Sequence, residues 1–294
     1  MSHLGVHGMF ELKKIDIVKR ASAWLLDAIL LVVLATGFMF IISLICNFDH
    51  QQEVYAEYNA EWAEFRRDCI GQVAEYYGFT YEELDEEGNT YTITKDGQTA
   101  SLGDVMVKLD ASQGQDPETA EAYARYQTLT PAAKVNAQFQ LILSLLFMMI
   151  SFGCLLAYLV LEFILPIVMK NGQTVGKRIF GICLVRPDGV KVTTMALFAR
   201  ALLGKFAIET MFPVFLIYLF FFGGLGILAV ILLAAFLLMN LVLFFATKNR
   251  TPIHDLLAGT VAADMRLQII FDSEEELIAK KSAWHNEFIE NSKS

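Results

Sequence analysis

Charge is scarce in this chain. Only 19% of its 294 residues are Asp, Glu, Lys or Arg, against 55% hydrophobic, and the mean hydropathy is +0.46. Soluble domains carry about 25% charged residues. Residues 28–48, 135–161 and 210–247 carry no charge at all. Because roughly 20 consecutive apolar residues make a bilayer span, these runs exclude a soluble globular domain. Cysteines number four, at 46, 69, 154 and 183, with the spacing of neither a metal site nor a disulfide framework. Cys46 and Cys69 share one segment, but nothing in their spacing asks for a bridge. The five histidines include no His-Glu-x-x-His pair, and Ser43, Ser144 and Ser151 have no histidine beside them. The signatures of hydrolases and metal sites are therefore missing, and neither an enzyme nor a cofactor is expected.

What is present fits an all-α integral membrane protein with about four transmembrane helices. The first two charge-free runs are one span each. The third, as one helix, would reach about 57 Å, nearly twice the hydrocarbon core. Gly223, Gly224 and Gly226 allow a turn in its middle. The expected helices are 19–46, 135–169, 206–222 and 225–247. The third is short and contains Pro213, so a re-entrant hairpin is the competing arrangement. The first helix is too long for a cleaved signal peptide, carries Asp27 and precedes no A-x-A site.

Orientation follows from Lys and Arg in the short flanking segments. Lys13, Lys14, Lys19 and Arg20 lead the first helix. Lys170, Lys177, Arg178, Arg186 and Lys191 lie in the 170–193 loop, and Lys248 and Arg250 open the 248–294 tail. With four spans these share one side, so both termini, residues 1–18 included, are expected in the cytoplasm. Segment 47–134 holds 18 of the 32 acidic residues and six Lys or Arg, and is expected outside. Most of the net charge of −9 resides there, which argues against a nucleic-acid partner. Within this insert, 49–78 has helical periodicity. Residues 89–102 alternate around Asp96-Gly97 as a β-hairpin does. Ser101-x-x-Asp104 suits a helix cap, and 118–134 is expected to be helical. Residues 194–205 carry an apolar side interspersed with Arg200 and Lys205, as an interfacial amphipathic helix would.

Several charged groups fall within or beside the spans. Arg20 and Asp27 are seven residues apart, on one helix face and roughly 10 Å apart along the axis. An ionised Asp in a span costs about 2.5–3.5 kcal/mol, so Asp27 needs a partner or water. It is either a functional site or half of a structural ion pair. Glu162 lies four residues before Pro166, and Arg200, Lys205 and Glu209 mark the mouth of the third span. Arg200 and Lys205 are candidate counter-charges for Asp27, Glu162 or Asp255. Asn240 suits a hydrogen bond between helices, and His254-Asp255 a surface or capping pair. The stretch Gly172-Gln173-Thr174-Val175-Gly176-Lys177-Arg178 departs from a phosphate-binding P-loop. Three residues, not four, separate its glycines, Arg178 stands where Ser or Thr belongs, and an apolar helix precedes it. The expectation is a glycine turn with Lys177 and Arg178 facing anionic lipid.

Three segments, KRxxAxxLDxxLL at 19–31, GQTxGKRxxGxxLV at 172–185 and RTPIHDLLAGTV at 250–261, together resemble the RDD family of membrane proteins. The resemblance spans about 13–46 and 136–265, leaving out the insert and the tail. It implies that Arg20, Asp27 and Asp255 are the residues for which the family is named, with Glu162 also fitting its pattern. It implies a multi-pass protein of a cell membrane, a bacterial plasma membrane, and transport of ions or small solutes, cation/proton exchange among them. The other reading is a membrane adaptor that binds a partner protein through 47–134. A homo-oligomer fits either, since four helices make a small transporter.

Overall fold

The computed structural model describes residues 12, 13, 15–76, 80–83, 91–95, 98–100, 130–169, 172–247 and 251–293. Four helices among them are long and apolar enough to cross a membrane: Ile17–Cys46, Ala133–Val168, Thr194–Phe221 and Ile227–Ala246. Their apolar side chains point outward as much as inward. Val32, Val33 and Phe40 of the first, and Leu237, Leu238 and Phe245 of the fourth, are all exposed. A helix that is apolar all round and yet uncovered is built for lipid rather than water.

The chain forms two compact units, Met1–Ile42 with Met149–Ser294, and Ser43–Met148. In the smaller one, the helix Phe48–Tyr76 starts after Asn47, whose φ of 49° interrupts the run from the first span. The expected hairpin is there, with Tyr91–Lys95 (β2) antiparallel to Gln98–Ala100 (β3). A strand absent from the sequence reading, Thr80–Glu83 (β1), pairs with the other edge of β2. The turn at 96–97, the cap at 101–104 and the helix expected over 118–129 lie outside the described residues. Gln138 donates to the Gln51 carbonyl at 3.0 Å, which ties the start of the second span to the helix at 48–76.

In the larger unit the third and fourth spans are separate helices joined through Phe222–Gly226, where Gly224 (φ 73°) and Gly226 (φ 50°) take left-handed conformations. Residues 194–205 are not a separate interfacial helix. They begin one helix that runs unbroken from Thr194 to Phe221, because Arg200 turns inward instead of toward a membrane surface. Asn240 bonds its own helix, donating to the Phe236 carbonyl at 3.2 Å, and not a neighbouring one.

The segment read as a basic loop is ordered. It holds a short helix, Val175–Ile179, and a strand, Ile182–Val185 (β4), which pairs antiparallel with Val261–Asp264 (β5) from beyond the fourth span. All four β4 residues are buried. Ile15, Ala23 and Ile182 form one small apolar core, Cys183, Val185 and Ala263 a second, and Val190, Phe271 and Leu277 a third. The last includes the start of the C-terminal helix Glu274–Lys293. Cys46, Cys154 and Cys183 carry free thiols.

A buried charge network as the candidate functional site

Pro166 and Pro213 organise this region. Each lies four residues after a glutamate, Glu162 and Glu209. Proline has no N–H to close a turn onto the carbonyl four residues back. In both spans the helix widens ahead of the proline into π-helical winding, over Leu159–Ile164 and over Ala199–Met211. These stretches carry Glu162, Arg200, Lys205 and Glu209. The π-helix is rare and occurs often at functional sites.

Glu162 is 4% exposed and Arg200 2%. Arg200 donates through Nη1 to Glu162 Oε2 at 3.2 Å and through Nε to Asp255 Oδ1 at 2.7 Å, so it joins two carboxylates. Lys205 pairs with Glu162 Oε1, and Lys177 Nζ stands 3.9 Å from Oε2. Asp255, 1% exposed, also accepts from Arg20 at 3.3 Å and from the Thr260 hydroxyl at 3.0 Å. Arg20 in turn lies 5.3 Å from the centre of the Phe244 ring. Burial alone would raise the Asp255 carboxyl. Arg200, His254 and Arg20 instead hold it well below the usual carboxylate range. The Lys177 ammonium is pulled down to about 7, by burial first and by Arg200 second.

Asp27 does not pair with Arg20, although the two share a helix face. Its Oδ2 accepts from the Thr174 hydroxyl at 2.5 Å and its Oδ1 from the Gly176 amide at 2.8 Å. It therefore fastens the first span to the start of the 175–179 helix. Thr174 also accepts from Lys177 Nζ at 3.4 Å, which links Asp27 to the ionic cluster through a hydroxyl. The basic pair does not face lipid as a unit. Lys177 is buried and turned to Glu162, while Arg178 is exposed. Gln173 is buried as well and donates to the Ile182 carbonyl at 2.9 Å, while Gly172 lies against Leu184.

His254-Asp255 is neither a surface nor a capping pair, because both residues are buried within the cluster. His254 Nδ1 lies 2.8 Å from each Glu209 oxygen. The cluster thus contains Glu209, which the sequence places at the mouth of the third span without a partner role, and Thr260, which no sequence feature marks as a member. The signal for Glu209 was available in the repeated spacing of Glu162 to Pro166 and Glu209 to Pro213. Formally, Arg20, Lys177, Arg200 and Lys205 balance Asp27, Glu162, Glu209 and Asp255. No group of three or more His, Cys, Asp or Glu residues suited to a metal occurs among the described residues.

Four apolar helices, with ionisable groups gathered between them on π-helical segments, define a multi-pass α-helical membrane protein. No curated protein and no solved structure matches the chain. A model of the RDD family matches residues 16–259, and the chain belongs to that family.

Proposed function

We propose that the protein moves an ion or small solute across the membrane, with cation–proton exchange as the form this site fits best. The observation that carries the reading is Glu162, a buried carboxylate shared among Arg200, Lys205 and Lys177 on a π-helical stretch of the second span. Ionisable groups are costly at membrane depth, and those retained there are functional candidates by default. Buried ion pairs are in addition a weak way to stabilise a fold. An incoming cation at Glu162 would displace an ammonium that can then give up its proton, and the cluster would stay balanced.

Purified protein in liposomes should couple an imposed sodium or potassium gradient to internal pH, read with an entrapped dye. Glu162→Gln should lower that coupling at least tenfold while the protein stays monodisperse. Wild-type protein that reconstitutes well and moves no cation would overturn the exchange reading.

A second reading, a non-transporting adaptor, has its own observation. Each Asp27 oxygen is engaged, one by the Thr174 hydroxyl and one by the Gly176 amide, so this carboxylate already serves as a structural tie between two elements. A partner protein crosslinked to 47–134, with no flux, would favour it.

The same proposal places both termini and the cluster on the cytoplasmic side of a bacterial plasma membrane and the 47–134 insert outside, by the Lys/Arg distribution. In a cysteine-free background, an impermeant thiol reagent on intact cells should label a cysteine at Gly88 and spare one at Ser282. The reverse pattern would invert the topology.

A further inference from the structure

We propose that His254 is a proton-binding site, in which Nε2 takes up a proton and shares it with Asp255. Its use in exchange rests on the transport reading above; the binding itself stands on geometry alone.

The short helix Ile253–Leu257 sits close against the π-helical part of the third span. A Cβ built on Gly204 would fall 2.6 Å from His254 Cβ, so only a glycine lets the two backbones approach this far. The ring is buried, 8% exposed. Its Nδ1 lies 2.8 Å from both oxygens of Glu209, and its backbone amide donates to Oε1 of the same carboxylate at 3.2 Å. An ionised carboxylate only accepts, so in the neutral ring Nδ1 carries the hydrogen and Nε2 presents a bare lone pair.

Nε2 stands 3.6 Å from Asp255 Oδ1, and no hydrogen-bond donor reaches it among the described residues. Two acceptors therefore face each other across a gap that one proton would fill. The imidazolium would then donate at both nitrogens, to Glu209 and to Asp255. Oδ1 of Asp255 is the oxygen already held by Arg200 Nε at 2.7 Å and the Thr260 hydroxyl at 3.0 Å. A third donor competes with Arg200 there, and Arg200 keeps its other contact on Glu162. A proton at His254 thus shifts Arg200 toward Glu162, the carboxylate proposed to meet the cation.

The charges facing the ring come from every neighbouring element. Asp255 lies on its own helix, and Glu209, Arg200 and Lys205 on the third span. Arg20 of the first span and Glu162 of the second reach the ring through Asp255 and Arg200. Asp255 and Glu209 favour protonation, while Arg200 and Lys205 oppose it. Burial is the largest influence, and it holds the imidazole below its ordinary value. The native protein accordingly binds this proton less tightly than the unfolded chain, and stability contributed here is lost as pH falls from about 6.5.

The test is ¹⁵N NMR of ring-labelled histidine in the full chain in nanodiscs, with His254→Gln identifying the resonance. The expected result is an Nδ1–H tautomer at pH 8 and a titration whose midpoint lies below the ordinary imidazole value. Glu209→Gln, which removes a carboxylate and keeps the shape, should lower that midpoint by about one pH unit. An Nε2–H tautomer, no titration between pH 4 and 8, or a midpoint indifferent to Glu209→Gln would overturn the proposal. Titration without cation flux keeps the proton site and removes the exchange reading. Flux without titration keeps the exchange reading and removes this site.

Discussion

Asp255→Ala should cost about 3–5 kcal/mol of folding stability, the range for breaking a buried ion pair by removing one partner. The side chain is almost fully enclosed, and it accepts from Arg200, Arg20 and Thr260 at once. Alanine would leave Arg200 with Glu162 as its remaining carboxylate, which Lys205 and Lys177 already share. A cation left short of counter-charge in a dry site has no cheap alternative, because a guanidinium does not give up its proton. Unfolding by SDS titration in mixed micelles measures the loss. Asp272→Ala serves as the comparison: Asp272 pairs with Lys191 in the open, where an ion pair adds little, and the midpoint should not move. Equal effects from the two substitutions would mean that the buried network does not hold the fold.

Gly176→Ala should be nearly as damaging, on the order of 3 kcal/mol, as overpacking combined with the loss of a charge-assisted hydrogen bond. The added Cβ would overlap the Ala23 carbonyl oxygen and stand 2.9 Å from Asp27 Oδ1. The Ala23 oxygen belongs to the backbone and cannot swing aside, so the 175–179 helix would have to withdraw from the first span. Withdrawal breaks both Asp27 contacts. Gly37→Ala is the control, since a Cβ there meets nothing within 4 Å. Asp27→Ala combined with Gly176→Ala should cost less than the sum of the two, because both release one contact. Strict additivity would show that Asp27 and Gly176 are not coupled.

The spans were legible in the sequence because a bilayer imposes length and apolarity on a continuous stretch of chain, a local property. The cluster was legible in part for the same reason. A charge such as Asp27 or Glu162 stands out against an apolar run and demands a partner. The identity of that partner was not legible. Arg20 and Asp27 share a helix face, yet Arg20 reaches Asp255, 235 residues away, while Asp27 takes an amide and a hydroxyl from the GQT segment. Helical spacing reports neighbours along one helix and is silent about the helix opposite. The β4–β5 pair was missed for a related reason: its four-residue strands, separated by two spans, carry too little pattern to be told from loop. His254 reads as part of a surface or capping pair because nothing in the local sequence reports its burial, which depends on Gly204 fifty residues earlier.

The pairing of Arg20 with Asp255 also sets a timetable for synthesis. At roughly 5–20 residues per second, the ribosome needs roughly 10–50 s to travel from one to the other. Through that interval the first helix has already entered the bilayer with Arg20 lacking its contact to Asp255, and Glu162 and Arg200 arrive before the carboxylate that completes them. The nascent chain must therefore be sheltered, by the insertion machinery or by water at the membrane edge, until the stretch from Thr251 to Asp264 emerges and closes the structure from its far end. A chain stalled before residue 255 would leave Arg20 and Arg200 without the carboxylate that joins them, a lesion open to a quality-control protease.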